Sequence, residues 1–332
     1  MNKLPFEEKF EEYNLAESVG LAVMVVKDGR TVFKQGYGLR NLETKENVNT
    51  DTNFRLCSVA KQFTAMCIAI LEERGKISAN DYIKKYFTDF PKCMSKIKIQ
   101  HLLNHTSGLP EYHDEFCSTN EENPYVKNSD IYNFYKNSKA LEFKAGNRFE
   151  YSNGGYILLA TLIEKVTNET FSDFLTENIF KPLSMLNTKV VSYPLEISNR
   201  SVSYSEWPFF KDMDFNTCNA LLGDDGIYCS INDTEKWIDA LEKNLLINKE
   251  RTTKLFASGF TNDGEKINYG YGWELDKYYE HEMLLHTGSW VGFNTVITNF
   301  PKEKIWIVAY SNSHAISSWV AMEEMAKYYL KL

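Results

Sequence analysis

Residues 20–37, GLAVMVVKDGRTVFKQGY, hold the pattern that sets the architecture. The run 20–26 is apolar and rich in β-branched residues, Asp28-Gly29 is the dipeptide that accepts the two positive φ angles of a type I′ turn, and residues 30–37 return with Val32 and Phe33. A β-hairpin is therefore predicted near the N-terminus. Before it, Phe6, Phe10 and Tyr13 recur at helical spacing among glutamates, which predicts an amphipathic first helix. At the far end, residues 283–286, 291–300 and 304–310 read as three strands, with a Pro-containing turn over 299–303. A last helix follows, its stripe formed by Ile316, Trp319, Val320 and Met325 with Tyr328 and Tyr329. Between these ends, residues 62–73, 129–139, 156–166, 171–180 and 233–244 favour helix. The pattern predicts an α/β (α+β) fold in which an antiparallel sheet of N- and C-terminal strands, flanked by helices, is built from residues 1–60 and 235–332. A mainly helical region, residues 61–234, is inserted between them. The seam is where a small ligand is expected.

Composition narrows the function. The chain has 332 residues, 43% hydrophobic and 25% charged, as soluble globular proteins do, which excludes a disordered or coiled-coil chain. Lys plus Arg is 37 against 45 Asp plus Glu, a net charge of -8, so nucleic acid is not an expected partner. The N-terminal residues do not read as a secretory signal and no 18-residue apolar run occurs, so no membrane partner and a cytoplasmic location are expected. Six cysteines, Cys57, Cys67, Cys93, Cys117, Cys218 and Cys229, lie at scattered spacings without C-x-x-C pairs. They read as buried reduced thiols rather than a disulfide framework or a zinc ribbon.

Three short motifs carry chemistry. Ser58-Val59-Ala60-Lys61 heads a helix whose apolar residues Phe63, Met66, Cys67, Ile70 and Leu71 share one face. Residues three apart lie together on a helix, so the Lys61 amine can reach the Ser58 hydroxyl and, with its pKa lowered, take its proton. The first turn also offers unpaired N–H groups to a developing oxyanion. Ser95-Lys96-Ile97-Lys98 matches the same pattern but sits in a lysine-rich stretch that reads as solvated. Tyr151-Ser152-Asn153 lies on a loop before a helix; a tyrosine beside a cationic lysine has its pKa pulled down and becomes a feasible base, while Asn153 offers a donor and an acceptor to a substrate amide. Tyr135-Lys136-Asn137 and Tyr310-Ser311-Asn312 match too, and read as packed tyrosines. His286-Thr287-Gly288-Ser289 ends a predicted strand, where Gly288 would admit a substrate backbone to the strand edge and the Ser289 N–H would supply a second oxyanion donor.

Taken in order, S-V-A-K, Y-S-N and H-T-G resemble the three motifs of the serine β-lactamase and penicillin-binding protein superfamily. The Tyr-x-Asn form is similar to the class C branch, which also holds D-alanyl-D-alanine carboxypeptidases, D-aminopeptidases and esterases. Residues 101–110, HLLNHTSGLP, and 223–228, GDDGIY, resemble further segments of that branch, and the likeness runs from about Val19 to Leu330. The resemblance implies Ser58 as the acylated nucleophile, Lys61 and Tyr151 as the shared base, Asn153 as an amide contact, and His286, Thr287, Gly288 and Ser289 as substrate-binding residues. It calls for no metal and no cofactor, and for a small ester, amide or peptide as substrate. The alternatives are a β-lactamase or DD-carboxypeptidase and, in another class, a non-catalytic acyl-binding sensor or binding module.

Two departures qualify the transfer. His286 stands where β-lactamases and carboxypeptidases usually have lysine, and a largely neutral histidine weakens the anchor for a substrate carboxylate. His286→Lys is then expected to favour carboxylate-bearing substrates. Asp225 stands where relatives more often carry glycine; with Asp224 it would repel carboxylates and attract an amine, a capping or turn role being the other reading. Metal hydrolysis fails on spacing, since residues 281–286, HEMLLH, are one residue too long for H-E-x-x-H, and His101 with His105 lacks a third ligand. Trp207-Pro208-Phe209-Phe210, with Tyr204 beside it, reads as core, interface or an apolar wall of the acyl pocket.

Overall fold

A computed structural model describes residues 3–14, 18–205 and 213–332. The hairpin forms as expected, β1 (Leu21–Lys27) and β2 (Arg30–Tyr37) joined through Asp28 and Gly29 at φ 50° and 69°. Four C-terminal strands complete one antiparallel sheet: β3 (Glu274–Tyr278), β4 (His281–Trp290), β5 (Phe293–Phe300) and β6 (Ile305–Ser311), in the order β3-β4-β5-β6-β1-β2. The two ends of the chain meet where β1 pairs β6, from Leu21 opposite Ser311 to Lys27 opposite Ile305.

The apolar run of β1 follows from burial on both faces. Ala22, Met24 and Val26, with Trp306, Val308 and Tyr310 of β6, enter the large core shared with the helical middle. Leu21, Val23 and Val25, with Ile305, Ile307 and Ala309, enter a second core under the terminal helices. Strands covered on both sides lose the polar alternation of a half-exposed sheet. The second core is roofed by α1 (Pro5–Glu11), through Phe6 and Phe10, and by the C-terminal helix through Met322, Met325 and Ala326. The other face packs on α2 (Lys61–Glu73), α3 (Ile99–Leu103), α4 (Asn128–Lys136), α5 (Asn153–Thr167) and α6 (Ile231–Lys243); α7 (Ser318–Leu330) is the C-terminal helix. Phe63 of α2 stacks on Trp237 of α6 with ring centroids 4.3 Å apart, which locks the first helix of the middle to the last.

Several expectations are corrected. β3 was not anticipated: its Glu274, Asp276 and Lys277 are the charges that protect an edge strand, and they mask its strand character. β4 runs on to Trp290, so residues 286–289 lie within a strand rather than after its end, and Val291-Gly292, at φ 40° and 90°, form the turn into β5. Cys117 and Cys218 form a disulfide across 101 residues of sequence, whereas Cys57, Cys67, Cys93 and Cys229 are free. Such bridges persist in oxidising surroundings. Among the described residues no helix is long and apolar enough to cross a membrane. Trp207, Pro208, Phe209 and Phe210 lie outside the described residues; Tyr204 is buried, its hydroxyl accepting the Leu42 N–H at 2.8 Å.

Candidate active site

The turn before α2 is fixed from three sides. Phe54–Arg55 pairs with Ile227–Cys229 in a short sheet, the Leu56 N–H donates to Ile227 O at 2.8 Å, and Leu56 O accepts from Thr295 Oγ1 of β5 at 2.7 Å. Between these holds Cys57 adopts φ 51°, a left-handed conformation that costs a non-glycine residue roughly 1–3 kcal/mol and persists only where its surroundings impose it. The strained residue immediately precedes Ser58. Ser58 lies in a single 3₁₀ turn, Cys57–Ala60, that leads directly into α2, and Lys61 is the first residue of that helix.

Lys61 is wholly buried and its Nζ has three oxygen neighbours: Ser58 Oγ at 3.1 Å, Asn153 Oδ1 at 2.7 Å and the backbone carbonyl of Asp224 at 3.0 Å. The rings of Tyr151 and Tyr156 stand 5.0 and 5.6 Å from the same nitrogen. Asn153 reaches it because α5 starts at that residue, three before the predicted span 156–166, with the Ser152 hydroxyl capping the helix by accepting from the Gly155 N–H. Thr64 Oγ1 donates to Gly223 O at 2.6 Å and so ties the Asp224 segment to α2. The three motifs thus meet around one lysine, from separate parts of the chain.

Burial separates these motifs from their look-alikes. Ser95 sits in a 3₁₀ helix that ends at Lys96, so Lys98 is not on its face. Tyr135 and Tyr310 are buried, their hydroxyls at Pro110 O (3.2 Å) and Thr234 Oγ1 (3.0 Å), whereas Tyr151 is 38% exposed.

The third motif lies along β4. β3 pairs only with residues 281–285 of that strand, so among the described residues no strand covers 286–290 on that side. Thr287 and Ser289 are exposed there, and Ser289 Oγ is 3.1 Å from His314 Nε2. Gly288 also has a packing role. A Cβ on it would lie 2.5 Å from Leu56 O and 2.8 Å from Cys57 Cβ, so the missing side chain lets β4 close onto the Ser58 turn. Gly288→Ala should therefore push that turn away, lowering stability by about 1–3 kcal/mol and kcat far more than KM; thermal melts and steady-state kinetics read both, and an unchanged kcat would contradict the packing role.

His286 is only 1% exposed and does not face the open edge. Its Nδ1 donates to Thr287 O at 2.7 Å, which leaves Nε2 to accept from the Tyr269 hydroxyl at 2.8 Å. Burial, with Lys61 nearby, pushes its pKa down to about 3. It positions Tyr269 and the strand instead of meeting a carboxylate, and a lysine in its place would bury a second cation beside Lys61. His286→Lys is therefore not expected to favour carboxylate-bearing substrates.

Sequence reasoning missed the aromatic support of the site. His105 is buried under Tyr151 with ring centroids 4.2 Å apart, and its Nδ1 accepts the Ser152 N–H at 3.0 Å. Its proton is then on Nε2, which has no conventional acceptor and lies among the rings of Tyr151, Tyr156 and Tyr269. His101 likewise spends Nδ1 on a backbone N–H, that of Lys98. The partners of His105 are distant in sequence, Ser152 by 47 residues, whereas Lys98 is only three residues from His101.

The neutral imidazoles set an acid limit on stability. Burial lowers His101 to about 4, with Lys98 helping, and holds His105 well below its ordinary value, with Lys61 and His286 helping. In the unfolded chain each takes a proton near pH 6.5, so their contribution is complete above that pH and is lost as pH falls toward 4 and below. The loss is roughly 2 kcal/mol per fully buried imidazole between pH 6.5 and 5. Asp224, pushed up by burial to about 6, acts in the opposite direction, as do Glu274, raised by burial, and His113, raised by its hydrogen bond to Glu111. The unfolding free energy from urea titration should fall between pH 7 and 5; a flat or rising profile would contradict the neutral, buried state.

The motifs border a cavity of about 40 Å³ lined by Ser58, Asn153, Asp224, Ser289, Trp290 and Tyr112. Asn219 Oδ1 accepts from Trp290 Nε1 at 2.7 Å, and Cys218 next to it carries the disulfide, so the bridge braces one wall. Among the described residues no group of three or more His, Cys, Asp or Glu is placed to hold a metal ion.

Comparison with known proteins agrees with this geometry. Penicillin-binding protein 4* of Bacillus subtilis (strain 168) is 28% identical over 307 residues, covering 87% of this chain and 67% of its own length. The chain spans about three fifths to two thirds of the length of the curated relatives it matches. Among solved structures, the octameric penicillin-binding protein homologue from Pyrococcus abyssi superposes with a TM-score of 0.82 at 25% identity, covering 97% of this chain and 76% of that one. The D-amino acid amidase of Ochrobactrum anthropi SV3, complexed with L-phenylalanine amide, shares the fold with a TM-score of 0.79 at 20% identity, covering 99% and 98%. The profile of the Beta-lactamase family matches residues 6–322, nearly the whole chain, and with the fold and the meeting of its three motifs around Lys61 in view, the protein belongs to that family, within the serine β-lactamase and penicillin-binding protein superfamily.

Proposed function

We propose that the protein is a serine hydrolase that acts through an acyl-enzyme at Ser58 on a small amide or ester, with amino-acid amides and short peptides as the substrate class. The observation that carries this reading is Lys61 Nζ at 3.1 Å from Ser58 Oγ, at the head of a buried helix and beside a strand edge that no strand covers among the described residues. Ser58 Oγ attacks the carbonyl carbon while its proton passes to the Lys61 and Tyr151 pair and on to the departing amine or alcohol. Water, giving its proton to the same pair, then attacks the ester, releases the acid and restores Ser58. The N–H groups of Ser58 and Ser289 are the proposed oxyanion donors, and Thr287 and Gly288 line the substrate strand with Asn153 at the amide. The named activity of the Ochrobactrum anthropi fold neighbour is in keeping with this substrate class.

β-Lactamase or DD-carboxypeptidase action is the weaker alternative, because His286 of the third motif is buried and neutral and brings no charge to a substrate carboxylate. Steady-state kinetics on p-nitrophenyl esters, amino-acid amides of both configurations and a chromogenic β-lactam test the choice. Higher kcat/KM on esters and amides is expected. A β-lactam turned over faster than every ester and amide would reverse the ranking, and acylation of Ser58 without turnover of any of them would favour the sensor reading.

A further inference from the structure

The cavity beside Ser58 contains two consecutive carboxylates in unlike circumstances. Asp225 Oδ2 accepts from Arg55 Nε at 2.8 Å; that guanidinium is fully buried and donates its Nη2 to Asn219 O at 2.9 Å. The charge of Asp225 is therefore matched. Asp224 is 7% exposed, and its Oδ1 is buried without a hydrogen-bond partner. Its contact with Lys61 is made by the backbone carbonyl. The charged and titratable groups around the carboxylate include Lys61 of α2, Asp225 beside it, Tyr112 and His113 from the facing segment and Tyr135 of α4, and its own backbone N–H also donates to it.

A buried carboxylate oxygen lacking a donor costs about 1–3 kcal/mol or more, and native interiors rarely retain one that no ligand or water satisfies. The group that completes it must donate a hydrogen bond and must be small. A cavity of about 40 Å³ has room for such a group, since about 10–15 Å³ on the same measure suffices for a water molecule and an ammonium group is of similar size. The same cavity opens on Ser58, so its occupant would lie next to the carbonyl under attack. Lys61 does not supply the missing donor, its Nζ being placed on Ser58, Asn153 and the Asp224 carbonyl. Burial pushes the Asp224 carboxyl up to about 6, and an arriving cation would favour its ionised form.

We propose that Asp224 is a specificity-determining residue whose carboxylate receives the primary ammonium of the substrate's acyl portion, so that aminoacyl amides and esters are selected over their des-amino counterparts. The proposal rests on Ser58 as the acylated nucleophile.

Alanine p-nitroanilide and propionic acid p-nitroanilide differ only in the α-ammonium and make the test. The wild type should prefer the former, in whichever configuration it accepts, and Asp224→Asn should reduce that kcat/KM ratio by about 10- to 100-fold, with Asp224→Glu recovering part of it. The Asn variant keeps the backbone carbonyl on Lys61, and its melting curve checks the fold. A wild-type ratio near one, or an unchanged ratio in Asp224→Asn, would overturn the proposal and leave water as the occupant. Turnover of neither anilide would instead count against the hydrolase reading. The subsite is then judged by ethylammonium chloride: raising the melting temperature of the wild type but not of Asp224→Asn, relative to sodium chloride at equal ionic strength, supports it, and equal shifts overturn it.

Discussion

Ser58→Ala is expected to lower kcat/KM on esters and amides by about 10⁴-fold or more while leaving the fold intact. The separation of the two effects follows from local structure. Ser58 Oγ makes its contact with Lys61 alone among the described side chains, and the strained backbone at Cys57 is held by Leu56, Ile227 and Thr295 through bonds that do not involve the serine hydroxyl. Lys61 keeps Asn153 and the Asp224 carbonyl when the hydroxyl is gone. The melting temperature should therefore stay within a few degrees of the wild type, and turnover retained by this variant would remove Ser58 from the mechanism.

The second large effect concerns the base. Tyr151→Phe removes only a hydroxyl from a side chain that is 38% exposed, and the ring stays on His105, so a loss of about 10²- to 10⁴-fold in acylation should come without a loss of stability. Lys61→Met should match it in rate but not in stability. Removing the buried amine leaves Asn153 Oδ1 and Asp224 O without their donor, at a cost of about 1–3 kcal/mol for each group left unpaired. The two losses in rate should not add in the double variant, because residues that act as one unit lose their function with the first removal. Pre-steady-state acylation rates of the three variants decide the matter: full additivity would separate the residues, and a loss confined to one of them would assign the base to that residue alone.

The parts of the fold that could be read from sequence are those governed by neighbours in sequence. The Asp28-Gly29 turn, the apolar runs of β1 and β6 and the helical stripe of α2 each carry their cause within a few residues. β3 escaped notice because an edge strand guards itself with charge, and the Cys117–Cys218 bridge because its two halves are 101 residues apart. The predicted strand 291–300 starts two residues too early, since the pairing of Trp290 with Phe293 puts Val291, at φ 40°, and Gly292 in the turn. The site follows the same rule. Ser58 and Lys61 sit one helical turn apart and were visible, whereas Arg55 meets Asp225 across 170 residues and His105 meets Ser152 across 47. His286 was found but misjudged, since its burial depends on Tyr269, on a segment given no element beforehand.

Activation of Ser58 is the claim on which everything else depends, and covalent labelling tests it most directly. Intact-protein mass after exposure to a fluorophosphonate, followed by peptide mapping with Ser58→Ala alongside, should show a single adduct on Ser58 in the wild type and none in the variant. An adduct on another residue, or an unmodified wild type, would contradict it.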